Sequence, residues 1–273
     1  MAFVDTLRAT CESGTSDLFA FLRKCGFSVC GGKDKFKRYA FKQGATATSP
    51  LIVCHADTVA DGGEGEHSFS VSLDGNMVTS IALDDRLGVA IMLEHIATGG
   101  FLADCAFLVC DSEEVGRSTA TVALPKLLPK ISPNFLVELD RRGSDVVCYE
   151  YDTPLLRSLL VSCGFVVGTG SFSDICYLED FGVVGFNVGI GYHNEHSTRC
   201  HCLLSETKAQ LGRLQVFFDR FRDIRLDHPV YRSRSLRGTG YGAFEDDMRV
   251  IDPTYPTYLD DELDDDGRLW YTR

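Results

Sequence analysis

The chain has 273 residues, 44% hydrophobic and 24% charged, with a formal net charge of -12, enough for one large α/β domain with appendages and for a core that needs no disulfide staples. The acidic balance argues against a broad nucleic-acid surface, which needs concentrated Lys and Arg, but not against an anionic ligand, because a metal site supplies its own positive charge. No run of about 18 apolar residues exists to span a bilayer.

The opening stretch, MAFVDTLRATCESG, mixes acid and base early and lacks the apolar segment of a secretory signal. From Phe3 to Lys24 the apolar residues recur at helical spacing, which predicts two short helices broken at Ser13-Gly14. Phe36–Phe41 and Pro50–Cys54 read as strands. The segment SFSVSLDGNMVTS alternates around Asp74-Gly75, a strong hairpin signal. Asp84–Thr98 reads as a helix closed by Gly99-Gly100. Cys105–Cys110 reads as a strand buried on both faces, Thr119–Leu128 as a helix ending near Pro129, and Asn134–Leu139 as another strand. Pro154 sits in the tolerated first turn of the next helix. Val183–Val188 is a further buried strand, and Leu203–Phe221 a long amphipathic helix.

Strands alternating with helices predict a three-layer α/β/α sandwich around a mixed central sheet. The catalytic domain is expected over residues 1–226. Beyond it, residues 227–273 turn basic and Gly/Ser-rich (YRSRSLRGTGYG) and then strongly acidic. That reads either as a solvated arm or as a partner-binding one anchored by Tyr255, Tyr258, Leu259 and Trp270. The cysteines, 11 in all and scattered through apolar runs, fit buried free thiols better than a disulfide framework. A reducing, cytoplasmic setting is expected.

Four apolar strands run directly into acidic or histidine residues: LIVC into His55-Ala56-Asp57, CAFLVC into Asp111-Ser112-Glu113-Glu114, NFLVEL into Asp140, and GVVGFNVGI into the loop holding His193 and His196. A fifth pair, Asp84-Asp85, opens a helix just after the hairpin. In open α/β sheets, ligands bind beyond the carboxyl ends of the strands, so the fold gathers these groups in one crevice. So many carboxylates raise one another's pKa unless a cation lies among them. Mixed His and carboxylate donors suit zinc, manganese or cobalt, and two such ions roughly 3.5–4 Å apart would share a bridging carboxylate. Each motif alone has a plainer reading: a helix N-cap for Asp84, a first-turn acidic pair for Glu113-Glu114, a surface ion pair for Asp140 with Arg141-Arg142, and loop residues for the histidines. All of these would have to hold together at four strand ends and one helix start.

At these residues the chain resembles the co-catalytic dizinc peptidase superfamily, the clan that holds peptidase T, the aminoacylases, the bacterial leucyl aminopeptidase type and the tetrahedral aminopeptidases. CHADTV, SIALDDRLGVA, DSEEVGRSTA, ELDRRG and GYHNEHS match its motifs in order, over roughly residues 50–215. The resemblance implies two Zn2+ ions, with Mn2+ or Co2+ as substitutes, bridged by Asp84 through a cis peptide to Asp85. It assigns His55 and Asp140 to one ion, and Glu114 and His196 to the other. Glu113 becomes the general base acting on a metal-bridged hydroxide, and Asp57 the partner of the second ring nitrogen of His55. His193 is the alternative last ligand, and a separate zinc knuckle with Cys200 and Cys202 a further one. Asp174 falls where the family has a Ser-Asp pair, as a structural or pocket residue.

The activity so implied is amide cleavage by an exopeptidase, foremost an aminopeptidase acting on short peptides. N-acyl-amino-acid deacylation is the second enzyme reading, and a non-catalytic metal-containing binding protein the alternative of another class. One departure matters: Arg141–Ser171 is too short for the lid domain that peptidase T and the aminoacylases insert there, so their substrate preference does not carry over.

Overall fold

The computed structural model describes residues 3–62 and 70–228. Two helices open the chain, α1 (Phe3–Cys11) and α2 (Thr15–Lys24), parted at Ser13-Gly14. Next come β1 (Ser28–Cys30), β2 (Tyr39–Lys42) and β3 (Leu51–His55). The hairpin β4 (Ser72–Asp74) and β5 (Met77–Thr79) turns at Gly75, whose φ of 59° is the left-handed backbone that tight hairpin turns require. Helix α3 (Leu83–Thr98) is closed by Gly99 in the same conformation. Then follow β6 (Ala106–Cys110), α4 (Ala120–Leu127), β7 (Leu136–Arg141) and β8 (Val146–Val147). Helix α5 (Pro154–Ser162) is capped by the Thr153 hydroxyl, which accepts from the Leu156 amide at 3.2 Å. The remaining elements are β9 (Gly185–Gly189), β10 (Tyr192–His193), β11 (His201–Leu203) and α6 (Leu204–Phe221).

Seven strands form one mixed sheet in the order β1-β2-β6-β3-β7-β9-β8. The central four, β6, β3, β7 and β9, are parallel; β2 and β8 run antiparallel to them, and β1 runs antiparallel to β2. Burial on both faces explains why β3 and β6 read as unbroken apolar runs. Strand β9 separates the two faces: Phe186 meets Phe165 and the Phe217 ring of α6, whereas Gly185 lies against Tyr151 and Ile175 on the other side. Ile175 belongs to a short helical turn, Asp174–Tyr177, on which α4 packs. Helices therefore cover both faces, the expected α/β/α arrangement.

The expected hairpin belongs to a second sheet, β10-β11-β5-β4, whose other two strands were not legible in advance because they are only two or three residues long. Arg86 in α3 ties the N-terminal helices to the body. It is wholly buried and donates to the Thr10 carbonyl at 2.7 Å, the Ser13 carbonyl at 2.8 Å, the Thr15 hydroxyl at 2.9 Å and the carbonyl of Ala56. Between Arg141 and Ser171 lie β8, a short helical turn at Tyr149–Tyr151 and α5, with no lid. The cysteines are free thiols, most of them buried, and no described helix is long and apolar enough to cross a membrane. The expected arm from residue 227 lies outside the described residues except for Asp227 and His228. These two still pair with Val183 and Gly182 of the body.

Candidate metal centre

The four parallel strands end at one edge of the main sheet. His55 is the last residue of β3, and Asp111–Glu114 follow β6. Asp140 lies inside β7 rather than beyond it, at a register shift between Glu138 and Arg141, the kind of bulge that re-aims a side chain. The second sheet supplies the other two groups. Strand β5 leads into Asp84 at the start of α3, with a cis peptide between Asp84 and Asp85. The β10–β11 loop carries His196, itself at φ 58°.

His55, Asp84 and Glu114 each offer a donor atom within 4.8 Å of the others. The His55 Nε2 lies 3.3 Å from Asp84 Oδ1 and 3.2 Å from Asp140 Oδ1. The His196 Nε2 lies 3.1 Å from Asp84 Oδ2 and 2.9 Å from Glu114 Oε2. Asp84 thus turns one oxygen to each histidine. All five expected ligands converge, and Glu113 lines the same cleft as Asp84, Asp140 and His196.

The donor set fits a cation. The Nδ1 of His55 faces only acceptors, the Asp57 carbonyl at 2.9 Å and Asp57 Oδ1 at 3.5 Å, so it carries the hydrogen. That leaves Nε2 as the atom turned toward two carboxylates, and this buried nitrogen has no hydrogen-bond partner; nor does Glu114 Oε1. Burial, reinforced by the neighbouring carboxylates, pushes Glu113 up to about 7, Glu114 to about 8 and Asp140 to about 7. Burial pulls the His55 imidazole down, but Asp140, Asp57 and Asp84 outweigh it and hold the ring well above its ordinary value. Asp84 is the exception: burial would raise it, and contacts with His196 and His55 hold it low instead. The hydrogen bond to Asp84, reinforced by Glu114, lifts His196 to about 9. Buried lone pairs and crowded carboxylates of this kind are relieved by divalent metal.

Around the cluster lies a set of supporting bonds, most of them invisible in the sequence. Asp57 faces the second ring nitrogen of His55 through its carbonyl, and its two carboxylate oxygens accept the backbone amides of Glu113 at 3.2 Å and Glu114 at 3.1 Å. Asp85 accepts the His55 amide at 3.3 Å and the Gly88 amide at 3.0 Å. The Tyr192 hydroxyl donates to the Asp140 carbonyl at 2.6 Å and lies 3.3 Å from carboxylate oxygens of both Asp84 and Asp140. Asn187 accepts the Asp140 amide at 3.0 Å and donates to Ser173 Oγ at 3.1 Å and Tyr149 Oη at 3.2 Å; Ser173 in turn donates to Asp140 Oδ2 at 3.2 Å. Asn187 had one signal, as the polar residue in the apolar run GVVGFNVGI.

Other candidates go elsewhere. His193 Nε2 lies 2.7 Å from Glu206 and its ring stacks on His201, away from the cluster. No group with Cys200 and Cys202 has metal-ligand geometry among the described residues. Asp174 is fully buried, and burial, with the nearby Glu113 adding to it, raises it to about 7. Arg141 grips Asp145 with two bonds of 2.9 Å.

No family model matches the chain, and no curated protein matches it in sequence. Solved structures do match in fold. The TET aminopeptidase of the archaeon Thaumarchaeota archaeon SCGC AB-539-E09 is 12% identical with a TM-score of 0.58, the match covering 83% of this chain and 98% of that one. Aminopeptidase PepT from Bacillus cereus is 11% identical with a TM-score of 0.55 over 79% and 95% of the two chains. Aminopeptidase APDkam598 from Desulfurococcus kamchatkensis is 14% identical with a TM-score of 0.55 over 81% and 94%. The chain has the fold of the zinc-dependent exopeptidases, an α/β sandwich on a mixed sheet, with a candidate His/Asp/Glu metal group at its carboxyl edge.

Proposed function

We propose that the protein is a dizinc amide hydrolase, an exopeptidase of the aminopeptidase kind acting on short peptides. The observation that carries this reading is the unpartnered Nε2 of His55, aimed among carboxylates that burial and crowding hold near neutrality. His55 and Asp140 would hold one ion, Glu114 and His196 the other, and Asp84 both. The ions, zinc or alternatively manganese or cobalt, would supply Lewis acidity toward the amide carbonyl and toward water. Glu113 takes the proton of the attacking water as its oxygen adds to the carbonyl carbon. It returns that proton to the nitrogen as the C–N bond breaks, leaving an acid and an amine. A base that titrates near neutrality suits both transfers. The Asp57 carboxylate, by binding the Glu113 and Glu114 amides, holds base and ligand in one fixed turn.

Glu113→Gln tests the assignment. The variant should bind two zinc equivalents as the wild type does while losing about 100-fold or more in kcat on aminoacyl peptides. A fully active Glu113→Gln protein would refute the mechanism. N-acyl-amino-acid deacylation is the second reading, favoured by the guanidinium of Arg142 in the cleft. A panel of aminoacyl and N-acyl substrates separates the two.

A further inference from the structure

The cleft beside the cluster encloses about 270 Å³. Its walls bring the carboxylates of Asp84, Glu113, Asp140 and Glu195 together with two guanidiniums, Arg141 and Arg142. Arg141 is held by Asp145 through two bonds of 2.9 Å, and it also donates to the Thr169 carbonyl at 3.1 Å. Arg142 differs. Its side chain is 63% exposed, and a single terminal nitrogen meets Glu195, its one hydrogen-bond partner among the described residues. An arginine has five N–H donors in a fork that matches a carboxylate, so most of this fork is without a hydrogen-bond partner among the described residues. Beside the four carboxylates of this cleft, it is an exposed cation able to hold an anionic substrate end.

Glu113, which returns the proton to the leaving nitrogen, lines this same cleft, while Glu114 and Asp57 border a separate cavity of about 470 Å³. The leaving half of the substrate therefore belongs beside Arg142. A space of about 270 Å³ is at the small end for ligand sites and suits one amino-acid residue.

We infer that Arg142 binds the free α-carboxylate of the leaving residue, so that the substrate is a dipeptide-like molecule whose scissile amide immediately precedes its C-terminal amino acid. This rests on the amide-hydrolase reading above. Dipeptides and N-acyl amino acids share that end, and the acyl half decides between them. In the free protein Glu195 neutralises the guanidinium, and the substrate carboxylate takes its place.

The test compares the zinc-loaded wild type with Arg142→Met and Arg142→Lys on alanyl-leucine and on alanyl-leucine amide. The wild type should favour the free acid by about 10-fold or more in kcat/KM. Arg142→Met should raise KM for the acid by a similar factor, with kcat little changed and the amide unaffected; Arg142→Lys should fall between, since it keeps the charge and loses the fork. Equal kinetics on acid and amide in the wild type, or equal losses on both in Arg142→Met, would overturn the inference. If the wild type hydrolyses neither substrate nor N-acetyl-leucine, the hydrolase reading fails, and calorimetry with leucine decides this one separately. Leucine binding weakened about 10-fold in Arg142→Met supports a carboxylate site, and unchanged or absent binding to both proteins overturns it.

Discussion

Tyr192 shows how much of the candidate centre is built by residues outside the expected ligand set. Its buried hydroxyl meets the Asp140 carbonyl and lies within 3.3 Å of carboxylate oxygens from both sheets. Partners of this kind fix ligand orientation and are worth roughly 10–100-fold in metal affinity. Tyr192→Phe should therefore weaken zinc binding about 10-fold in chelator competition while the melting temperature without metal barely moves. An unaltered affinity would show that Asn187 and Ser173 alone hold Asp140. His55, Asp84, Glu114 and Glu113 could be read from the sequence because each follows an apolar run or opens a helix at a chemically telling residue. Tyr192, Asn187, Ser173 and the backbone role of the Asp57 carboxylate could not, since each depends on which main-chain atom lies opposite, and a linear pattern does not encode that.

At the scale of elements, α3 and β7 meet more closely than any side chain permits. A Cβ on Gly88 would sit 2.2 Å from the Leu139 carbonyl and 2.4 Å from Asp85 Oδ1. Gly88 is thus demanded by packing beside Asp140, and its own amide is the Asp85 bond. Gly88→Ala should cost about 1–3 kcal/mol, as overpacked cores do, and should also reduce zinc affinity, because β7 carries Asp140. Denaturant melts and metal titration measure the two effects, and a variant as stable as wild type would remove the argument. The long helices, the hairpin and the central strands were legible because their periods repeat over enough residues. The short strands β8, β10 and β11 were not: two or three residues carry no period, and tertiary pairing alone defines them.

For the molecule as a whole, the crowded carboxylates tie stability to pH. Glu113, Glu114 and Asp140 are held at about 7, 8 and 7, and His196 at about 9. Each of these groups binds a proton more tightly folded than unfolded, so metal-free protein should be most stable near pH 5 and lose stability steadily as pH rises to about 9. Zinc should reverse the trend, giving its largest gain in melting temperature at the alkaline end, because ligands bind metal deprotonated. Melts across that range, with chelator and with zinc, read this directly. Parallel curves would mean that the cluster titrates independently of metal.

The cluster draws His55, Glu114 and Asp140 from the main sheet and Asp84 and His196 from the small one. Across the boundary between the two sheets each histidine therefore faces a carboxylate from the other side, His55 meeting Asp84 and His196 meeting Glu114. A metal held there would act as a rivet through that seam. The group proposed to carry the chemistry is then also a clasp between the two sheets, so metal binding should make the whole fold harder to unfold.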